Sequence, residues 1–434
     1  MAKPVLSWGR TFRYAHDVWQ RDRLSAFDPD TFATDAEVLF HGLGRSYGDV
    51  ALNEDGRLCL NAANDRLLAF DRENGRLKAQ SGLALGAMNQ ITVPDGWIVP
   101  VSPGTKYVTL GGAVANDVHG KNHHVAGSFG SHIIALKLIR SDGETLVCSR
   151  TEHTDLFDAT ISGLGLTGYI DWVELQLSPI TSSNMWIENI RFADLQDFFA
   201  LSEDSAAWPY TAAWVDCFSS KPRTGAGIFT RARFLDDGIL RAGDAHPSRK
   251  MPVELPSILL NKFTISTFNQ VYKYRPGAQF KGRRNYQGFF YPLDQIYGWN
   301  KLYGRKGFYQ HQSIIPMENS RVGVTELLDT IRRSGQGSFL AVLKRHGPET
   351  SPGLNSFPLD GVSLALDFPN RGAKTMALLQ RLDEIAAGHG GRMYAAKDAA
   401  MASHIYQAGY PNWQRLEALR DPKINSSFWR RVTQ

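Results

Sequence analysis

The sequence predicts an α+β protein of two domains, and three observations carry that reading. A chain of 434 residues with 43% hydrophobic content has enough apolar side chains for more than one core. Two glycine-rich stretches, about sixty residues apart and set among short apolar runs, mark backbone that wraps a large phosphorylated ligand. A break near Ser178-Pro179 then separates this part from a middle region rich in Trp, Tyr and Phe. The expected boundaries are 1–182 for the ligand-wrapping domain, 183–392 for a second domain, and 393–434 for a C-terminal segment that completes the first.

The first glycine stretch, His41-Gly42-Leu43-Gly44-Arg45-Ser46-Tyr47-Gly48-Asp49, follows the apolar run Glu37-Val38-Leu39-Phe40 and opens as a strand-to-loop transition. A nicotinamide-dinucleotide fingerprint would next need a helix, and an acidic residue about 20 positions on. Instead, a Glu54-Asp55-Gly56 turn joins two strand-like pieces within residues 49–60. Consecutive loop N–H groups still form an anion-binding nest, with Arg45 and Ser46 as added donors for a pyrophosphate. Taken alone, the stretch reads first as a tight hairpin loop that holds nothing.

The second stretch changes that balance. Pro103-Gly104-Thr105 reads as a turn, and Thr109 through Gly111, Gly112 and Ala115 as a run of small residues against which a flat ligand can lie. Gly120, Gly127 and Gly130 frame His119, His123 and His124 in a loop too rich in glycine and asparagine for a helix. A zinc site is the rival, because His119 and His123 are four apart. That spacing shares a face only in a helix, and no acidic residue lies between them, so no metal is expected.

Further along, residues 133–139 and 145–148 form a hairpin about Ser141-Asp142-Gly143, residues 151–155 open a helix, and residues 169–177 alternate as a strand. Residues 361–367 read as a strand and 374–387 as a helix that Gly388 to Gly391 stop. Residues 392–397 read as a strand returning to the first domain.

Composition excludes several classes. The formal charge of +5 is modest and no long Lys/Arg tract occurs, so nucleic acid is not an expected partner and basic residues are left to serve a local anionic group. Cys59, Cys148 and Cys217 are an odd number without metal-like spacing, which suits a reducing, cytoplasmic setting. The N-terminal run lacks an apolar signal core, and no run of about 18 apolar residues is present to span a bilayer.

The order of glycine loop, Pro-Gly-Thr turn, Gly-Gly segment, His-Gly pair and Gly163-Leu164-Gly165-Leu166-Thr167-Gly168 resembles the PCMH-type FAD-binding domain of the vanillyl-alcohol oxidase superfamily. Within it, the chain is most similar to the decaprenylphosphoryl-ribose 2'-oxidases. The matching runs are residues 42–49, 119–124 and 126–130, Ala213-Trp214, Tyr291-Pro292-Leu293-Asp294, Trp299-Asn300, Lys344, Asp367-Phe368-Pro369 and Ala396-Lys397-Asp398. From Trp8 to Pro422 they cover nearly the whole chain.

The resemblance implies a PCMH-type FAD domain and a substrate domain built on an antiparallel sheet. The FAD contacts it implies are Gly42, Leu43, Gly44, Arg45, Ser46, Tyr47, Gly48, Pro103, Gly104, Thr105, Thr109, Gly111, Gly112, Ala115, His119, Gly120, Asn122, His123, Gly127, Ser128, Gly165 and Gly168. Arg45 stands about where tethering relatives carry a histidine, so the FAD is expected to be non-covalent. The implied reaction oxidises the 2'-hydroxyl of a polyprenyl-phosphoryl-β-D-ribose to the 2'-keto sugar. A separate short-chain NAD(P)H-dependent reductase would complete epimerisation to an arabinose donor for the cell envelope. A soluble sugar, alditol or aldonolactone oxidase is the alternative on the same fold, and a non-catalytic flavin- or lipid-binding protein is the reading from another class.

Lys397, His119 and Tyr47 are the catalytic candidates. A flavin that accepts a hydride carries negative charge, and Lys397 either stabilises that charge or, if it sheds its proton, acts as base. His119 either contacts flavin or substrate or braces its loop, and Tyr47 packs over the ring system or lines the pocket. Gln310 and Gln312 share one face of a strand, either toward sugar hydroxyls or toward solvent. Lys344, with Arg345, Lys281, Arg283 and Arg284, offers charge for a phosphate, and Trp214 is a sugar platform or a core residue. The mycobacterial enzymes carry cysteine at Ala365, tyrosine at Phe290, asparagine at Ser363 and phenylalanine at His346, so the sugar and lipid transfer less firmly than the flavin. All four departures are expected at the substrate pocket. Residues 250–284 mix leucines with basic residues, among them Lys250, Lys262, Lys273, Lys281, Arg283 and Arg284, which reads as a segment docking on the inner face of the plasma membrane or as a pocket-covering loop.

Overall fold

The computed structural model describes residues 4–20, 27–220, 222–243, 249–254, 256 and 260–434. It is an α+β fold with three principal sheets. The first is parallel, with β3 (Arg57–Leu60) between β1 (Asp17–Gln20) and β2 (Val38–His41). The expected strand-turn-strand within residues 49–60 is therefore corrected: residues 49–52 are a turn and only β3 is extended. The cause is tertiary, because the Asp49 carboxylate is held by Arg431 at 2.8 Å and the Cα of Gly48 sits against the Asp398 carbonyl.

Strands β4 (Leu67–Asp71), β5 (Arg76–Gln80), β6 (Ile133–Ile139), β7 (Thr145–Ser149) and β8 (Tyr169–Gln176) form an antiparallel sheet in the order β4-β5-β8-β6-β7. Its inward residues, among them Leu77, Ala79, Leu136 and Val173, pack on Leu110, Ala113 and Val114 of α1 (Leu110–Ala115). The small-residue run is thus a short helix, capped where the Thr109 hydroxyl accepts from the Gly112 N–H. The following loop is also corrected: residues 123–126 close one helical turn, with the Asn122 carbonyl accepting from Val125 and Ala126, before Gly127 ends it at φ +69°.

The largest sheet has eight strands: β9 (Asn184–Phe192), β10 (Tyr210–Val215), β11 (Gly227–Phe234), β12 (Lys281–Asn285), β13 (Phe308–Pro316), β14 (Ala341–Arg345), β15 (Gly361–Pro369) and β16 (Arg392–Met393). They run antiparallel in the order β12-β9-β11-β10-β14-β15-β13-β16. One face is sealed by α3 (Met317–Ser334) and α4 (Ala373–Gly388), whose leucines pack on Ile315, Leu343, Leu364 and Leu366. Helix α2 (Lys262–Tyr274) lies beyond the other face, with Phe268 beside Phe339 and Tyr272 beside Trp214.

The strand expected over residues 392–397 is only β16, and it edges the eight-stranded sheet instead of joining a first-domain sheet. Beyond it the Tyr394 carbonyl accepts from the N–H groups of Lys397 and Asp398, which closes a turn. The last segment nevertheless builds into the N-terminal core, where Phe428 and Trp429 of α5 (Ser427–Thr433) pack with Leu39 and Leu58.

Candidate active site

Because side chains alternate across a strand, the face of the large sheet left open by its helices carries a fixed set of residues. Register sets Gln312 opposite Ala365, Ala365 opposite Val342, and Val342 opposite Trp214, one transverse row over four strands. The flanking rows hold Ser363 opposite Lys344, and Gln310 opposite Asp367. These residues form one wall of a cavity of about 1120 Å³ whose other wall is the two glycine loops.

His119 enters from the loop side. Its backbone bridges to Ser128, whose hydroxyl donates to Asp117 at 2.8 Å. The Gln312 amide nitrogen lies 2.9 Å from His119 Nε2, and Lys344 Nζ lies 2.6 Å from Nδ1 and 2.7 Å from the Gly120 carbonyl. Gln312 braces Nε2, while Lys344 shares one hydrogen bond with Nδ1 and donates another to Gly120 O. Burial pushes the Lys344 amine well below its usual value, with Lys121 adding repulsion, and it keeps the imidazole neutral.

At the opposite end of the sheet wall, the Lys397 amine lies 3.9 Å from the centre of the Tyr47 ring, which packs edge-on against Phe308. Burial pushes Lys397 down to about 8 while the nearby Asp367 carboxylate holds it up. Burial in turn pushes Asp367 up to about 7, opposed by the Gln310 amide at 2.5 Å and by the charge of Lys397. Seven cationic side chains line the cavity, Arg45, Lys121, Arg275, Arg284, Lys301, Lys344 and Lys397, against the carboxyls of Asp294 and Asp367.

The glycine wall fits a large anionic cofactor. A Cβ built on Gly104 or Gly165, both on the cavity wall, meets no protein atom within 4 Å, so these positions face open space. Arg45 stacks on Trp8 at 4.3 Å, yet among the described residues its buried Nε has no hydrogen-bond partner, and the buried Asn116 Oδ1 is equally unmatched on the same wall. Unpaired buried donors and acceptors are rare, and a bound ligand accounts for both.

The structure brings residues 42–47, 103–105, 109, 111–112, 115, 119–120, 165 and 168 to the cavity, with Gln310, Gln312, Lys344, Trp214, Phe290 and Ala365. Gly48, Asn122, His123, Gly127 and Ser128 do not reach it. They hold the wall from behind: Asn122 Nδ2 donates to Pro100 O, and the His123 ring lies 4.7 Å from that of His346. Among the four departures Phe290, Ser363 and Ala365 line the cavity, whereas His346 is buried beneath it with Nε2 2.9 Å from the Ser363 hydroxyl. Lys281 and Arg283 are ion-paired away from the cavity with Glu188 and Asp237, while Arg284 lines it and Arg345 does not. Sequence reasoning missed Asp367, Lys121 and Asn116 as site residues. Asp367 was within reach, since it stands two residues past Ala365 on the same strand face.

Residues 32–149 match the FAD binding domain family. The chain is 32% identical over 449 aligned positions to the decaprenylphosphoryl-β-D-ribose oxidase of Mycolicibacterium smegmatis, covering 97% of this chain and 95% of that protein. An uncharacterized Streptomyces coelicolor protein is 33% identical over 357 positions, covering 78% and 96% of the two chains. The L-gulonolactone oxidase of Scyliorhinus torazame is 31% identical over only 140 positions, 32% of this chain and 31% of that one. The glycine wall with its open Gly104 and Gly165 cradles lies partly within the matched FAD domain, and the long alignment carries the sheet wall with it. The chain is an FAD-dependent oxidoreductase and belongs to the decaprenylphosphoryl-β-D-ribose oxidase family of PCMH-type FAD-binding flavoenzymes.

Proposed function

We propose that this flavoenzyme oxidises the 2'-hydroxyl of a polyprenyl-phosphoryl-β-D-ribose to the 2'-keto sugar, using non-covalently held FAD. The observation that carries the reading is one cavity in which an amide-bearing sheet wall, suited to a sugar, adjoins four cationic side chains, Lys121, Lys344, Arg275 and Arg284, suited to a phosphate. The similarity to the Mycolicibacterium enzyme over 97% of this chain supports it, while the lactone-oxidase similarity stops at 32%.

FAD, when bound, would supply the two-electron acceptor for the carbinol hydrogen as hydride, and the hydroxyl proton would pass to the Asp367 carboxylate, which burial raises to about 7. The chain's own residues do the rest. Gln310 and Gln312 orient sugar hydroxyls through their amides. Burial holds the Lys344 amine well below its usual value, and an approaching phosphate opposes that shift, because the anion favours the charged form. Lys397 supplies positive charge for the developing anion, and the ionised Asp367 helps keep that charge. The enclosing Trp214, Phe290 and Tyr47 exclude water from the reacting hydroxyl.

In this reading the FAD domain comprises residues 1–182 and 393–434 and the substrate domain residues 183–392. A keto sugar needs a hydride donor to become a new sugar, so a short-chain NAD(P)H-dependent reductase is the functional partner. The site of action is the cytoplasmic face of the plasma membrane. Turnover with a short-prenyl phosphoryl ribose, quenched with borodeuteride, tests the regiochemistry. Deuterium at C2' is expected; deuterium at another carbon, or none, contradicts it.

A further inference from the structure

An ordinary surface helix buries its apolar face and exposes its polar one. In helix α2 two of the three buried side chains are polar. Beside Ile265 they are Asn269, which donates to Asp216 at 2.9 Å, and Lys273, ion-paired to it at 3.7 Å, while the exposed Gln270 reaches the same carboxylate at 3.0 Å from the helix edge. Asp216 is itself 1% exposed, so the helix is anchored by polar bonds around one buried carboxylate. Its outward face carries Phe263, Val271 and Tyr274, which are 78%, 64% and 57% exposed, with Phe268 at its edge. Phe263, Val271 and Tyr274 fall on one helical stripe, with Thr267 and Gln270 between them, so these three side chains share a direction.

The helix also stands at the cavity mouth. Phe268 and Tyr272 line the cavity, and so does Tyr297, which is 53% exposed. Residues 260–285 contain Lys262, Lys273, Arg275, Lys281, Arg283 and Arg284 and no Asp or Glu. The Arg275 guanidinium sits 3.5 Å over Tyr272, and that of Arg284 sits 4.2 Å over Phe280, beside the same opening.

We propose that the outward face of α2 is an insertion surface for an anionic lipid bilayer, which sets the cavity mouth against the membrane. Lys273, Lys281 and Arg283 are ion-paired, which leaves Lys262, Arg275 and Arg284 beside the apolar side chains, and that mixture matches a negatively charged interface, where ring and aliphatic groups enter below the headgroups while Lys and Arg meet them. A protein partner would be expected to meet this charge with acidic residues of its own; a lipid surface meets it with phosphates. The proposal rests on the reading that the substrate is lipid-linked, because it explains why the mouth opens beside this helix. Of the segment singled out in the sequence, Leu255, Ser257, Ile258 and Leu259 lie outside the described residues and carry none of this argument.

The test is co-sedimentation of the FAD-loaded protein with phosphatidylcholine vesicles and with vesicles containing phosphatidylglycerol. Binding to the anionic vesicles is expected, with little to phosphatidylcholine, and salt should weaken it. The double variant Phe263→Ser/Val271→Ser, which touches neither the cavity nor the core, should lose about tenfold or more of that binding. It should keep its flavin spectrum and its turnover of a water-soluble, short-prenyl phosphoryl ribose. Failure of the parent to bind anionic vesicles, or equal binding by the double variant, overturns the proposal. A dimer in solution that the double variant splits also overturns it, in favour of a second copy as occupant. If vesicles are bound but no prenyl-phosphoryl sugar is oxidised, the docking surface stands and the substrate reading fails; the opposite pair of results rejects docking alone.

Discussion

At Lys397 burial and charge oppose each other: burial lowers the amine to about 8, and Asp367 restrains the shift. Below that pH the amine is protonated. A residue acting by positive charge then makes flavin reduction fast at neutral pH and slower as pH rises through about 8; a residue acting as base gives the reverse slope. The account predicts the fall. Anaerobic stopped-flow should show reduction slowed by about two to four orders of magnitude in Lys397→Met, with FAD still bound. In Asp367→Asn the falling limb should move to lower pH, since the carboxylate that raises the lysine is gone. A limb that does not move means the two groups are uncoupled.

At the same scale, the three cysteines are buried and burial raises each thiol, Cys59 to about 12, Cys148 to about 11 and Cys217 to about 12. None lines the cavity, so an electrophile bound there finds no thiolate. Mass spectrometry should find no cavity adduct in the parent and one in Ala365→Cys. That Lys397 lines the cavity was legible in the sequence from its motif and its small neighbours. The raised value of Asp367 was not, because the Gln310 contact and the burial that perturb it come from strand pairing.

Among the elements, what alternation or turn chemistry determines was legible: β6 and β7 form the expected hairpin, β15 and α4 lie within a residue or two of expectation, and Gln310 and Gln312 share a face. What distant contacts determine was not. Residues 49–52 turn because Asp49 is held from α5, and residues after 393 turn because the Tyr394 carbonyl captures two N–H groups. The polar anchoring of α2 was hidden because its anchor, Asp216, is about fifty residues away in sequence. A glycine prediction belongs to this scale. Since a Cβ at Gly104 meets nothing within 4 Å, Gly104→Ala should fold with the parent's apoprotein melting temperature. Equilibrium dialysis should nonetheless show weaker FAD binding, by an amount on the order of 1–3 kcal/mol for a methyl forced against a packed ligand. Unchanged affinity would show that this wall does not meet the cofactor.

For the whole molecule, the formal charge of +5 says little, whereas its distribution says more: the cations converge on one cavity and on the rim beside α2. The chain order of sheets, two N-terminal, one large, then a return to the N-terminal core, puts the glycine loops and the sheet wall face to face. The proposal that FAD is held without a covalent bond at Arg45 predicts that acid precipitation releases yellow flavin to the supernatant, and colour retained in the pellet would contradict it. The central claim is that the cavity reads a prenyl-phosphoryl ribose and not a free sugar. Anaerobic titration of the bound flavin tests it most directly. Bleaching by a short-prenyl phosphoryl ribose at concentrations where ribose, alditols and aldonolactones leave the spectrum unchanged is the predicted result; bleaching by the free sugars or lactones, with none by the prenyl-phosphoryl ribose, would contradict it.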